Sequence, residues 1–145
     1  MGGHTIQGNY IGLEPNGTTV NANNSNGVDL GGPNNIVGGT GAGERNVLSG
    51  NLGSGIAIRS SGNTVRGNFI GTDAAGVTAK GNGTISGPSR SGAGILIQGE
   101  ADNNTIGGAT AAARNLISGN KNSGLEITAI IGGPLFVIKC RGKTV

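Results

Sequence analysis

The stretch from His4 to Glu14 reads HTIQGNYIGLE, and the stretch from Asn63 to Asp73 reads NTVRGNFIGTD, an offset of 59 (63 − 4) with apolar, glycine and asparagine positions kept. A second pair, ERNVLSGNLGSGIAI from Glu44 and ARNLISGNKNSGLEI from Ala113, is offset by 69 (113 − 44). Two unequal offsets mean that the unit is shorter than either and that its loops vary in length. An internal repeat constrains a fold more than local propensity does, because each unit must bury its apolar face against its own copies.

Within each unit three short strand-like pieces recur. The first is glycine followed by alternating apolar residues: Val28 and Leu30, Ile56 and Ile58, Ile95 and Ile97, Leu125 and Ile127. Alternation places each pair on one face. The second piece carries Ile6, Val37, Val65 and Ile106. The third carries Ile11, Leu48, Ile70 and Ile117, each two residues after an asparagine: Asn9, Asn46, Asn68 and Asn115. Strands this short cannot hold a fold alone. Stacked on their copies about 4.8 Å apart, they form continuous apolar ladders, and the asparagine amides can bond to one another along the axis.

The composition agrees. Gly is 32 of 145 residues and aromatics are 2%, while 34% of the chain is hydrophobic. That apolar share is too high for a disordered linker, and glycine supplies the positive-φ corners between faces. The predicted fold is all-β: a right-handed parallel β-helix of three parallel sheets and about four to five coils. A β-sandwich, the competing architecture, predicts hairpins and longer alternating runs. It gives no reason for one asparagine to recur before one apolar residue. Helix is predicted for at most one turn at TAAARN (Thr110 to Asn115).

The stretches NNTIGGATAAARNLISGN and GNFIGTDAAG, with the GIAI-type pieces, resemble right-handed parallel β-helix repeats of the pectin-lyase-like superfamily, in particular glycine- and asparagine-rich arrays of bacterial secreted or surface proteins. The resemblance covers roughly Thr5 to Thr128. It implies the fold and an extracellular or cell-surface location, although MGGHTIQGN has no charged-then-apolar opening of a secretion signal. For function it implies a choice, since the superfamily holds lyases, hydrolases, adhesin shafts and arrays without assigned activity.

Two regions follow: repeats over 1–128, with the first coil incomplete, and a tail over 129–145. The tail contains PLFVIKC (Pro134 to Cys140), the most strand-prone run in the chain. It is predicted to cap the last coil, to contact another subunit through Leu135, Phe136, Val137 and Ile138, since open solenoid ends expose strand edges, or to be a disordered end outside the natural reading frame. A homo-oligomer through the tail or an open end is the implied protein partner.

The chain offers little for chemistry. A lyase would need acidic residues clustered to hold calcium, which takes six to eight oxygen ligands, and an Arg or Lys as base. The three Asp (Asp29, Asp73, Asp102) and four Glu (Glu14, Glu44, Glu100, Glu126) are scattered over different coils, so no metal site and no cofactor is expected. Asp73, Arg66 and Lys80 are the best candidate catalytic set for a polysaccharide lyase or hydrolase. Arg45 and Arg114 occupy matching positions, which suits a loop hydrogen bond better than a catalyst. His4, the one histidine, stands where Asn35, Asn63 and Asn104 stand in other coils. Cys140 is the one cysteine, so no internal disulfide forms.

With a net charge of +3 and no basic stripe interleaved with aromatics, nucleic-acid binding is not expected. No run approaches the roughly 20 apolar residues of a membrane span. Two long loops, from GLEPNGTTVNANNSN and GTDAAGVTAKGNGTISGPSRSGA, leave the third strand and should project on one side. Their Asn, Thr, Ser and Gly side chains suit sugar hydroxyls, so polysaccharide is the expected ligand class. The expected role is a non-catalytic structural or adhesive module, with a polysaccharide-active enzyme as the alternative.

Overall fold

The computed structural model describes residues 1–83, 92–99 and 101–128, together with the backbone of 139–141. Each coil contributes three short strands. They are β1 (Thr5–Ile6), β2 (Tyr10–Ile11) and β3 (Val28–Leu30), then β4 (Ile36–Val37), β5 (Val47–Leu48) and β6 (Ile56–Ile58). The third and fourth coils supply β7 (Thr64–Val65), β8 (Phe69–Ile70) and β9 (Ile95–Gln98), then β10 (Thr105–Gly107), β11 (Leu116–Ile117) and β12 (Leu125–Thr128), and β13 (Lys139–Arg141) follows. Each strand pairs in parallel with its counterpart one coil away. This makes sheet 1 (β1-β4-β7-β10-β13), sheet 2 (β2-β5-β8-β11) and sheet 3 (β3-β6-β9-β12). The fold is a right-handed parallel β-helix. Its sole helical element among the described residues is a 3₁₀ turn at Ala111–Ala113.

The register reproduces the sequence columns. Leu30 lies beside Ile58, Ile58 beside Ile97, and Ile97 beside Ile127. Val37, Val65 and Ile106 form the sheet 1 column, and Ile11, Leu48, Ile70 and Ile117 the sheet 2 column. The three columns meet in one core. Ile56, Ile58, Ile95, Ile97 and Ile70 are wholly buried, each worth about 1.5–3 kcal/mol of transfer from water. Among the described residues that core is built without an aromatic side chain.

Three asparagine ladders, rather than one, run beside these columns. In the ladder before sheet 2, Asn9 Nδ2 donates to Asn46 Oδ1 at 3.0 Å, Asn46 Nδ2 to Asn68 Oδ1 at 3.0 Å, and Asn68 Nδ2 to Asn115 Oδ1 at 3.1 Å. A second runs Asn23, Asn51, Asn82, Asn120 between sheets 2 and 3, with each amide contact 2.8 Å. The third lies before sheet 1: Asn35 reaches Asn63 through Nδ2 at 2.9 Å, and Asn63 reaches Asn104 through its backbone N–H at 2.8 Å. His4 heads that ladder, its backbone N–H donating to Asn35 Oδ1. The ladders also bond corner carbonyls: Asn46, Asn68 and Asn115 Nδ2 donate to Ile6, Val37 and Val65. The amides thereby give corner carbonyls a second donor beside the inter-coil backbone N–H, that of Gly38 on Ile6 and that of Arg66 on Val37.

The corners explain the glycine and asparagine content. The residue just before the third ladder is left-handed in every coil: Gly3 (φ 76°), Asn34 (φ 61°), Gly62 (φ 76°) and Asn103 (φ 55°). Gly and Asn are the residues that tolerate this region. At Gly71 (φ 95°) a side chain is also excluded sterically, because a Cβ would meet the Ser118 carbonyl and the Asn120 amide of the next coil.

A two-coil period overlies the single-coil repeat. The first and third coils leave sheet 2 through hairpins tied by the antiparallel bridges Leu13–Val20 and Thr72–Ala79, whereas Leu48 and Ile117 reach the ladder residues Asn51 and Asn120 directly through SGN. The short coils lengthen the other corner, from sheet 1 to sheet 2. Residues 129–138, which include Leu135, Phe136, Val137 and Ile138, lie outside the described residues. β13 adds a fifth rung to sheet 1, with Cys140 at the register position opposite Ile106.

Candidate functional site

The two hairpins stack on each other and lie against the outer face of sheet 2. Ala74 N–H donates to the Gly17 carbonyl at 2.9 Å, and Gly50 N–H of the coil between donates to the Lys80 carbonyl at 2.7 Å. A Cβ on Gly17 would fall 3.2 Å from Tyr10 Cε2, and one on Gly76 would fall 2.9 Å from Phe69 Cε2 and 3.0 Å from Leu116 Cδ2. Tyr10, Val47, Phe69 and Leu116 are register partners, so sheet 2 carries an apolar column on each face and the hairpins sit against the outer one. Val47 is 2% exposed there, while Tyr10, at the first rung, stays 47% exposed.

Hairpin shape is set by side chains that bond their own loop. Asn16 Oδ1 accepts the Thr18 and Thr19 N–H groups, each at 2.9 Å, and its Nδ2 donates to Thr19 Oγ1. Asp73 does the corresponding work in the second hairpin. Its Oδ1 accepts the Val77 N–H at 2.9 Å, its N–H donates to the Thr78 carbonyl, and its own carbonyl accepts from Gly76. The Val77 N–H, followed by the Thr78 hydroxyl, lowers the Asp73 pKa from its ordinary value of 3.8, against the opposing effect of burial.

A depressed folded-state pKa stabilises the fold above the unfolded value, and that contribution is lost as pH falls through the folded value. The melting temperature of Asp73→Ala is therefore expected to lie below wild type at neutral pH, with the gap narrowing as pH drops below 3.8. Thermal melts over an acid series measure this, and a gap constant with pH would refute it.

Of the other candidate catalytic residues, Arg66 lies at the corner between β7 and β8, with a buried Nε that makes no hydrogen bond among the described residues. Lys80 lies at the end of the second hairpin, where its N–H donates to the Gly71 carbonyl at 2.8 Å. No ion pair joins Asp73 to Arg66 or Lys80: among the described residues the one salt bridge is Arg59 to Asp29, 2.9 Å and about half exposed. Such a pair contributes at most about 1 kcal/mol. Among the described residues no three of His, Cys, Asp and Glu come together as a metal site would require.

Arg45 uses Nε to donate to the Gly67 carbonyl at 3.2 Å and places its guanidinium 4.0 Å over the Phe69 ring. Glu44 is likewise engaged locally, accepting the Gly41 N–H at 2.8 Å. Arg45, Gly67 and Ala112 line a shallow cleft with the glycine-rich 39–43 turn. Sequence reasoning placed two long loops on one side and gave Arg45 a loop hydrogen bond, but it did not foresee that the loops form hairpins or that Tyr10 is their neighbour. Gly17 was the available signal, since it aligns with Gly76 across the 59-residue offset and both sit against an aromatic ring.

Three parallel sheets, amide ladders and stacked loops define a β-solenoid repeat protein. No protein-family model, curated protein or solved structure matches the chain. Among the described residues no helix is long and apolar enough to cross a membrane.

Proposed function

We propose that the chain is a non-catalytic structural or adhesive module, a β-solenoid of the pectin-lyase-like superfamily that works outside the cell and contacts polysaccharide through its hairpin face. The observation carrying this is the half-exposed Tyr10 ring beside Gly17, at the foot of two hairpins bonded to each other through Ala74. An aromatic face next to hydroxyl groups suits a sugar ring, which presents an apolar face and polar edges. Thr18, Thr19 and Thr78 are exposed on those hairpins. Asp73, the carboxylate a lyase or hydrolase reading would use, is instead engaged in holding its own hairpin, which supports the non-catalytic role.

The test is electrophoresis through native gels cast with individual acidic and neutral polysaccharides. Retardation by one polymer is expected, reduced several-fold in Tyr10→Ala with its circular dichroism unchanged. Cleared zones in the stained polymer would instead establish a polysaccharide lyase or hydrolase, with Asp73, Arg66 and Lys80 as first mutagenesis targets. Equal retardation of wild type and Tyr10→Ala would remove the hairpin face from the reading.

A further inference from the structure

The two ends of the solenoid are chemically complementary, and the chain contains a worked example of how they would join. The second coil stacks on the third inside the molecule. The fourth coil matches the second (Asn115 with Asn46, Ile117 with Leu48, Asn120 with Asn51), and the first matches the third (Asn9 with Asn68, Ile11 with Ile70, Asn23 with Asn82). The second–third junction is thus a template for the fourth coil of one copy meeting the first coil of another.

In that junction Asn46 donates through both its N–H (3.2 Å) and its Nδ2 (3.0 Å) to Asn68 Oδ1, and Asn51 does the same to Asn82 Oδ1 at 3.2 and 2.8 Å. Phe69 N–H donates to the Asn46 carbonyl at 3.0 Å. The corresponding donors at the last rung belong to Asn115 and Asn120. The corresponding acceptors at the first rung are Asn9 Oδ1 and Asn23 Oδ1. Exposure rises along the sheet 3 column towards the last rung: Ile97 is fully buried, whereas its register partner Ile127 is 47% exposed.

One strand stands in the way. β13 occupies the edge of β10 in sheet 1, the place where β1 of a second copy would lie if sheets 2 and 3 continued. We propose that a second copy of this chain is the partner of the C-terminal end, docking head to tail through its first coil, and that β13 acts as a stopper competing with the incoming β1. Such an interface is heterologous and repeats without closing, so releasing β13 yields a filament. Two substitutions weaken the incoming end and favour the stopper. His4 replaces the ladder amide of Asn63, and Pro15 replaces Ala74, whose N–H ties one hairpin to the next.

The stopper is removable without touching the coils. In the rung above, Thr105 N–H donates to the Asn63 carbonyl at 2.8 Å, and Lys139 shares its register. Lys139→Pro with Arg141→Pro in the full chain removes the N–H groups that hold β13. The double variant is expected to elongate with concentration in sedimentation velocity, while wild type stays monomeric. Adding Thr5→Pro, which deletes an N–H at the outer edge of the first coil, is expected to restore the monomer. A folded double variant that remains monomeric overturns the proposal, as does elongation that Thr5→Pro leaves unchanged.

A second measurement reads the contact directly. Thr5→Cys and Thr105→Cys chains, each carrying Cys140→Ser in the Lys139→Pro, Arg141→Pro background that releases β13, are mixed at high concentration and oxidised. Directly opposed residues on neighbouring strands lie within disulfide reach. Cross-links between residues 5 and 105 are expected in several-fold excess over like pairs, and a statistical mixture would overturn head-to-tail docking.

Discussion

Ile58→Asp is expected to unfold the protein. Ile58 is 0% exposed and lies between Leu30 and Ile97 in the sheet 3 column. The substitution forfeits about 1.5–3 kcal/mol of apolar transfer and places a carboxylate among aliphatic neighbours with no donor. A buried unpaired charge is among the few single changes that cost more than about 4 kcal/mol, against a typical total of about 5–15 kcal/mol. Ile127→Asp, in the same column at an exposed rung, is the internal control and should lower the melting temperature only slightly. Thermal melts followed by circular dichroism decide it. A wild-type transition in Ile58→Asp would mean that the column does not face the core.

Asn68→Ala should cost about 2 kcal/mol or more, because two polar groups lose their partner outright, each at about 1–3 kcal/mol. Those groups are the Asn46 N–H and the Arg66 carbonyl, while Asn46 Nδ2, the Val37 carbonyl and Asn115 Oδ1 each lose one partner and keep another. Asn68→Asp separates donor from acceptor. Its carboxylate still accepts from Asn46, but an oxygen now faces three other oxygens where Nδ2 donated. Protonation restores a donor, so the folded state holds this proton more tightly than the unfolded chain does. A group with a raised folded-state pKa gains stability as pH falls. Relative to wild type, Asn68→Asp should therefore recover in acid while Asn68→Ala does not. Denaturant titrations at neutral and acid pH measure both, and parallel behaviour would show that the amide donor is unimportant.

Columns were legible in the sequence because they recur in register: Ile58 with Ile97, Asn46 with Asn68. Repetition amplifies a two-residue strand that would be invisible alone. The Asn51–Asn82–Asn120 ladder was not legible. Its members stand three residues after Leu48 and Ile117, but twelve after Ile11 and Ile70, so the hairpins broke the spacing that would have aligned it. The hairpin face was legible as loops on one side, but not as a cover for sheet 2. That cover depends on Gly17 and Gly76 lying against rings, a tertiary contact without a local pattern. Asp73 shows the limit for chemistry: an acidic residue in a loop looks the same in sequence whether it awaits a substrate or closes a hairpin.

The unequal length of the coils has a mechanical consequence. Each coil touches only its neighbours, so a load pulling the termini apart along the axis detaches one coil at a time rather than shearing whole sheets. Every detachment breaks one contact in each of the three ladders and three strand pairings, which sets similar rupture forces. The length released differs from coil to coil, from 28 residues between Ile36 and Thr64 to 41 between Thr64 and Thr105. The solenoid should yield as a spring of equal thresholds and unequal steps, with the loops of the third coil serving as stored extension.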